Sequence, residues 1–226
     1  MMKTMKRAAL AFAVAVSASA CHKHEKDAPP PAAEERPRSF GPRTVWLAFK
    51  GTTTQAVAKA LDLREVAPVG WTAGLVGAYA GRVFVTPPVD GWVLATSTRF
   101  PDAGGGPSTD AATPLMARLS HEFDEVQYFS THEDIGWNAW ARYVNGAVVR
   151  KYAYLGAQGI ILWNEGDPTP EERALNLDFN AKAVRDGAVP EEANVFALAA
   201  KWSVDPSSLG QRLDPGVGLA GVLPPP

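Results

Sequence analysis

The dipeptide Asn145-Gly146 is the feature of this sequence that most restricts its fold. It lies between two runs rich in β-forming residues, Trp137–Val144 and Ala147–Leu155. Asn-Gly suits the type I′ turn, because both central residues of that turn have positive φ and its twist matches that of the flanking strands. The sequence therefore predicts a two-residue hairpin in which Val144 opposes Ala147 and Tyr143 opposes Val148.

An unbroken register from this turn distributes the side chains of the hairpin between two faces. One predicted face carries aromatic residues and one arginine, namely Trp137, Tyr143, Arg150, Tyr152 and Tyr154, with small alanines between them. Four of these, Trp137, Arg150, Tyr152 and Tyr154, are the candidate residues for a shallow binding platform, since rings and a guanidinium group can stack on a ligand. The competing interpretation, which the pattern favours, is that this face packs against helices and that Arg150 extends to solvent at the edge.

The remaining pattern predicts an α+β fold with a mainly antiparallel sheet, a β-meander, and helices packed mostly on one side. A strand is predicted at 44–50, a hairpin at 82–96, and a strand at 126–131 before the meander. Helices are indicated by the Thr52–Gln55 capping box, by Thr113-Pro114, by a second capping box at Thr169–Glu172, and by the run after Pro190.

The N-terminus predicts export. Residues 1–20 combine Lys3, Lys6 and Arg7 with an eleven-residue apolar run, which is typical of a secretory signal peptide and too short to span a bilayer. The only cysteine, Cys21, follows Ala18-Ser19-Ala20. This junction resembles a bacterial lipobox, although alanine stands where leucine is commonest, and it implies lipid attachment at Cys21, for example by palmitate. Cleavage by an ordinary signal peptidase, which would release a secreted protein, stays open.

These features divide the chain into four predicted parts. They are a signal peptide (1–20), a lipid-anchor cysteine with a Pro-rich linker (21–43), a single α+β domain (44–209) and a flexible Gly/Pro tail (210–226). The linker has five prolines and mixed charges, a composition that cannot bury a core. The expected location is the periplasmic side of a bacterial membrane, and the outer membrane is favoured because His22, not aspartate, follows the cysteine.

Composition and motifs exclude several functions. The formal charge of −2 offers no basic stripe for nucleic acid, and a single cysteine permits no disulfide within the chain. We find no Gly-x-Ser-x-Gly elbow and no phosphate loop, so we assign no catalytic residue, metal or cofactor. The preferred hypothesis is a non-catalytic binding module with a protein or peptide partner. The alternative is a hydrolase or metal-dependent enzyme that uses His121, His132 and nearby carboxylates.

Scattered segments of the domain resemble uncharacterised bacterial proteins with no established activity. The residues that carry the resemblance are Val126–His132, Trp140-Ala-Arg142, Tyr152–Gly156, Trp163–Gly166, Thr169–Glu172 and Ala200–Pro206. The resemblance implies a single domain and a bacterial source. It implies no site residues.

Overall fold

The computed structural model describes residues 32–104 and 109–225. Its strands form one antiparallel sheet of nine members in the order β2-β9-β3-β4-β1-β5-β6-β7-β8. The described strands are β1 (Val45–Lys50), β2 (Arg64–Val69), β3 (Val83–Val85), β4 (Trp92–Ser97), β5 (Glu125–His132), β6 (Trp137–Val144), β7 (Ala147–Leu155), β8 (Ile160–Glu165) and β9 (Gly218–Val222). The predicted α+β class and the meander, β5 to β8, are confirmed.

Six α-helices lie within the described residues and cover both faces of the sheet. They are α1 (Thr54–Ala60), α2 (Trp71–Tyr79), α3 (Ala112–Ser120), α4 (Pro170–Ala174), α5 (Ala181–Arg185) and α6 (Glu192–Trp202). Helices α1 and α3 contribute to one apolar layer, whereas α2, α5 and α6 and the end of α4 pack in the other. The expectation of helices mostly on one side therefore describes the majority and misses the second layer.

The two layers follow from the composition of the central strands. Side chains in a strand point alternately to opposite faces of the sheet. In β1, Leu47 and Phe49 lie in the first apolar layer, whereas Trp46 and Ala48 lie in the second. All four are fully buried. A strand with apolar residues on both faces needs a cover on both, which the helices supply.

Local signals set the predicted turns and helix starts. Asn145 and Gly146 both have positive φ, 50° and 81°, as the type I′ turn requires. Thr169 and Glu172 form the predicted capping box at the start of α4. Helix α1 differs in detail, because the hydroxyl that accepts from the backbone N–H of Ala56 belongs to Thr53 and not to Thr52.

The C-terminal limit of the predicted domain is wrong. Residues 218–222, assigned to a flexible tail, form β9, which lies between β2 and β3 inside the sheet. Ala220 pairs with Ala67 on one side and with Phe84 on the other. Sequence reasoning missed this strand because glycine-rich segments have low strand propensity, and here the neighbouring strands supply the stabilisation.

The predicted linker also reaches too far into the domain. Phe40 is buried, and the Glu35 backbone pairs with that of Gly216. The Glu35 carboxylate accepts from the backbone N–H and the hydroxyl of Thr72, at the first turn of α2. A single compact unit spans 31–226, so the folded domain begins near residue 32 and includes β9.

Removal of β9 is expected to unfold one side of the sheet. Among the described strands β2 pairs only with β9, so a chain that ends at Leu209 loses that pairing and exposes the buried edge of β3. We expect this chain to lose cooperative thermal unfolding, measured by circular dichroism. A chain that ends at Leu223 keeps β9 and should melt like the full chain. Equal melting temperatures for all three chains would contradict the assignment of β9.

Candidate functional site

The four predicted platform residues do not share one face of the sheet. The turn has the expected register, with Val144 opposite Ala147 and Tyr143 opposite Val148, but Arg142 then opposes Arg150. Val149 is therefore an extra residue in β7, a β-bulge. Since one inserted residue exchanges the two faces of a strand, every later residue of β7 points opposite to the prediction.

The bulge places the predicted residues in different layers. Trp137 lies in the layer with α1 and α3, whereas Tyr152 and Tyr154 lie in the layer with α2 and α6. All three are buried. The Tyr152 ring stacks on Trp140 at 4.7 Å between centroids and lies 6.2 Å from the ring of Phe179, and burial raises the pKa of its hydroxyl. The predicted platform is thus part of the core, in accord with the packing interpretation.

Arg150 neither binds at the surface nor extends to solvent. Its side chain is enclosed, with a residue exposure of 1%, and its Nε donates to Glu172 Oε1 at 2.9 Å. Trp140 Nε1 donates to the same oxygen at 2.8 Å, and the Thr169 backbone N–H donates to Glu172 Oε2 at 2.8 Å. Arg150 also donates to the Asn164 side chain at 2.8 Å. This Arg150–Glu172 pair joins the meander to α4, so its role is structural.

Loss of the Glu172 charge is expected to destabilise the fold strongly. Glu172→Gln leaves the Arg150 guanidinium buried without a counter-ion, which costs on the order of 3 kcal/mol of unfolding free energy. Urea unfolding measures the change.

The matched control is Asp186→Asn. Asp186 is the acceptor of an exposed ion pair with Lys182 on α5. An exposed pair of this kind contributes less than about 0.5 kcal/mol. If both amide substitutions cost the same free energy, the Arg150–Glu172 pair does not have the role described.

The two candidate catalytic histidines lie at opposite ends of β5. His121 follows α3, and its ring lies against the Asn145-Gly146 turn. His132 ends β5, whose eight residues span roughly 23 Å at about 3.3 Å per step. Within the described part of the chain, no group of three His, Cys, Asp or Glu side chains is arranged to hold a metal ion. The shared His121–His132 site that the enzyme hypothesis needs is therefore not assembled.

His132 and Trp137 are instead cross-strand partners at the turn between β5 and β6. Both line a cleft of about 450 Å³, which we call the Trp137 cleft. Its other walls include Arg43, Phe100, Asp102, Ile135, Leu155 and Gln158. Trp137 is 6% exposed and its Nε1 donates to Ser130 Oγ at 2.8 Å, so the ring is fixed in the wall.

A second cleft lies beside the same turn. It has a volume of about 480 Å³ and is lined by Glu133, Gly136, Asn138, Pro190, Glu191, Glu192 and Ala193. We call it the acidic cleft. The 3-10 turn Glu133–Ile135 contributes Glu133 to the acidic cleft and Ile135 to the Trp137 cleft. Sequence reasoning missed this arrangement, because nothing in the linear pattern places the start of α6 next to the β5–β6 turn.

The turn between the two clefts is fixed by a close backbone contact. The backbone N–H of Gly156 donates to Gly136 O at 3.0 Å, and the two glycines are so close that a side chain on Gly136 would meet the Gly156 backbone at 3.0 Å. Gly136 also has a φ of +60°, which favours glycine.

Cys21, the predicted lipid-attachment residue, lies outside the described residues. No helix in the described ranges is long and apolar enough to cross a bilayer.

No protein-family model, curated protein or solved structure matches this chain. The resemblance to uncharacterised bacterial proteins therefore stays a prediction, and no residue role is transferred from a relative.

Proposed function

We propose that this protein is a non-catalytic binding module, held by lipid on Cys21 at the periplasmic side of a bacterial outer membrane, and that its Trp137 cleft receives a segment of a partner polypeptide. The observation that supports the cleft as the site is an apolar surface left open beside a fixed tryptophan. Ile135 is 43% exposed and Leu155 is half-buried, and both line the cleft with Trp137. Aromatic and aliphatic side chains in a concave site are typical anchors for a partner.

The polar groups of the cleft favour a polypeptide over a highly charged small molecule. Arg43 and Asp134 form an ion pair at 2.8 Å beside the cleft, and both side chains are more than half exposed. Asp102 and His132 add one acidic and one titratable group to the lining. Apolar walls with polar groups of both signs match the mixture of side chains and backbone amides that a peptide presents.

The environment of His132 favours binding over catalysis. Its Nδ1 is shielded from solvent and has no hydrogen-bond partner within the described residues. A histidine that acts as a general base in a triad is oriented by a carboxylate or another acceptor at the second ring nitrogen. The geometry at His132 lacks that orienting contact, whereas a wall of a binding cleft does not need it.

The anchor is supported by the sequence alone. The lone cysteine at the end of a signal-like segment is the position that a lipoprotein requires, and acyl chains contribute about 0.8 kcal/mol per buried methylene. Ten residues, 22–31, separate Cys21 from the first described residue. Fully extended, they reach roughly 35 Å, which lets the domain meet a partner near the membrane surface.

Lipid attachment at Cys21 is expected to be visible by metabolic labelling. Cells that express the full chain are grown with a palmitate analogue that carries a chemical handle, and the labelled protein is detected after gel separation. The wild type should carry label and fractionate with membranes, whereas Cys21→Ala should carry none. Label of equal strength on both, or its absence from the wild type, would contradict the anchor.

A partner polypeptide bound in the Trp137 cleft is expected to lie close to Ile135. A photo-crosslinking amino acid at this position, in the full chain expressed in cells, should give an adduct with an envelope polypeptide upon irradiation. Val149 is the matched control, because its side chain is 39% exposed and it lies on the bulge, at the opposite end of the meander strands from Ile135. The adduct should be absent at Val149.

A second pair of substitutions ties the adduct to the Trp137 cleft. Gln158→Trp places a large ring into the cleft from an exposed turn and should abolish the adduct. Ala157→Trp changes the adjacent exposed residue, which does not line the cleft, and should leave the adduct intact. Equal adducts at Ile135 and Val149, or no adduct at Ile135, would overturn the proposed site.

A further inference from the structure

The acidic cleft concentrates negative charge without a matching positive group. Glu133 comes from the β5–β6 turn, and Glu191 and Glu192 come from the start of α6. The seven lining residues include no lysine, arginine or histidine. Three carboxylates around one concave surface repel one another, and a low-dielectric wall strengthens that effect.

The helix explains only part of this charge. Glu191 and Asn194 form a capping box at the start of α6, and Glu192 stands in the first turn, where the helix end carries partial positive charge. These two acids therefore stabilise α6. Glu133 belongs to a different element, the turn between β5 and β6, so helix capping does not account for it.

An unsatisfied buried group in the same wall indicates a missing donor. Asn138 is 4% exposed, and its Nδ2 donates to Pro190 O at 3.0 Å. This bond fixes the orientation of the amide and leaves Oδ1 as an acceptor without a partner among the described residues. Glu192 Oε2 is likewise shielded and without a partner. Buried acceptors normally have a hydrogen-bond partner, so the wall of this cleft carries unmet acceptor capacity.

We propose that the acidic cleft binds the positively charged side chain of an arginine or lysine in the partner polypeptide. A guanidinium or ammonium group supplies both the charge and the N–H donors that the cleft lacks. A metal ion fits less well, because the described residues hold no cluster of three acidic, histidine or cysteine side chains at ligand spacing.

This inference rests on the proposed binding function and specifies the chemistry of the partner. The turn 133–136 separates the two clefts, so a single extended segment that crosses it can place an apolar side chain in the Trp137 cleft and a basic one in the acidic cleft. The partner is therefore a polypeptide with an apolar residue and an arginine or lysine close together in sequence.

The charge preference can be measured without the natural partner. The chain from residue 21, with Cys21→Ser to remove the lipid, is labelled with ¹⁵N and titrated with N-acetyl-arginine-N-methylamide. The uncharged isostere N-acetyl-citrulline-N-methylamide is the matched probe. We expect saturable shifts of the Asn138 side-chain amide and the Gly136 backbone N–H with the arginine probe. The citrulline probe should bind about tenfold or more weakly, because charge-assisted hydrogen bonds are stronger than neutral ones.

Substitutions of the glutamates test whether the arginine probe binds in the acidic cleft. Glu192→Gln and, independently, Glu133→Gln should each weaken binding of the arginine probe severalfold, whereas Glu65→Gln, an exposed glutamate on β2, should not. Equal affinity for the two probes, no saturable shift, or insensitivity to both cleft substitutions would overturn the inference. The same shifts produced by micromolar calcium chloride would assign the cleft to a metal and also overturn it.

The proposals for the Trp137 cleft and for the acidic cleft can be refuted independently. Gln158→Trp, which fills the Trp137 cleft, should leave binding of the arginine probe unchanged. Absence of an Ile135 adduct from the chain that keeps Gln158, together with retained arginine binding, would therefore refute the proposed function alone.

Discussion

The β-bulge at Val149 decides how the meander is packed. One extra residue in β7 turns Arg150 and Tyr152 toward the layer that contains α4 and α6, and there Glu172 accepts from Arg150. A buried guanidinium tolerates that position only with a paired carboxylate and further acceptors, which Asn164 and the backbone near Gly166 provide. The segment that carries Glu172 is thereby held over the stacked rings of Trp140 and Tyr152.

The register of the meander could be predicted from the sequence up to this bulge and not beyond it. Local signals gave the meander turn and the start of α4 correctly, because Asn145-Gly146 and the Thr169 capping box act through a few neighbouring residues. The register of the first two pairs after the turn was also predicted. The bulge was not, since nothing in Val148-Val149 distinguishes a regular strand from a bulged one without knowledge of Glu172, which lies more than twenty residues later.

The sequence predicted the candidate binding surfaces less well than it predicted the strands. Aromatic residues in β6 and β7 suggested an exposed platform, but apolar rings are buried wherever a second layer is available, and the sequence did not reveal that layer. Trp137 and His132 were singled out individually, and their cross-strand pairing created the cleft. The acidic cleft depends on a tertiary contact between the β5–β6 turn and α6, for which no local signal exists.

The position of β9 has a consequence for how the chain reaches its folded state. Ala220 pairs with Ala67, so β2 can join the sheet only after a loop of roughly 150 residues has closed. Sheets that rely on such distant pairings form slowly, because the entropy of closure is lost before the contacts are gained. Until β9 pairs, the edges of β2 and β3 have no partner strand and are open to pairing with another chain.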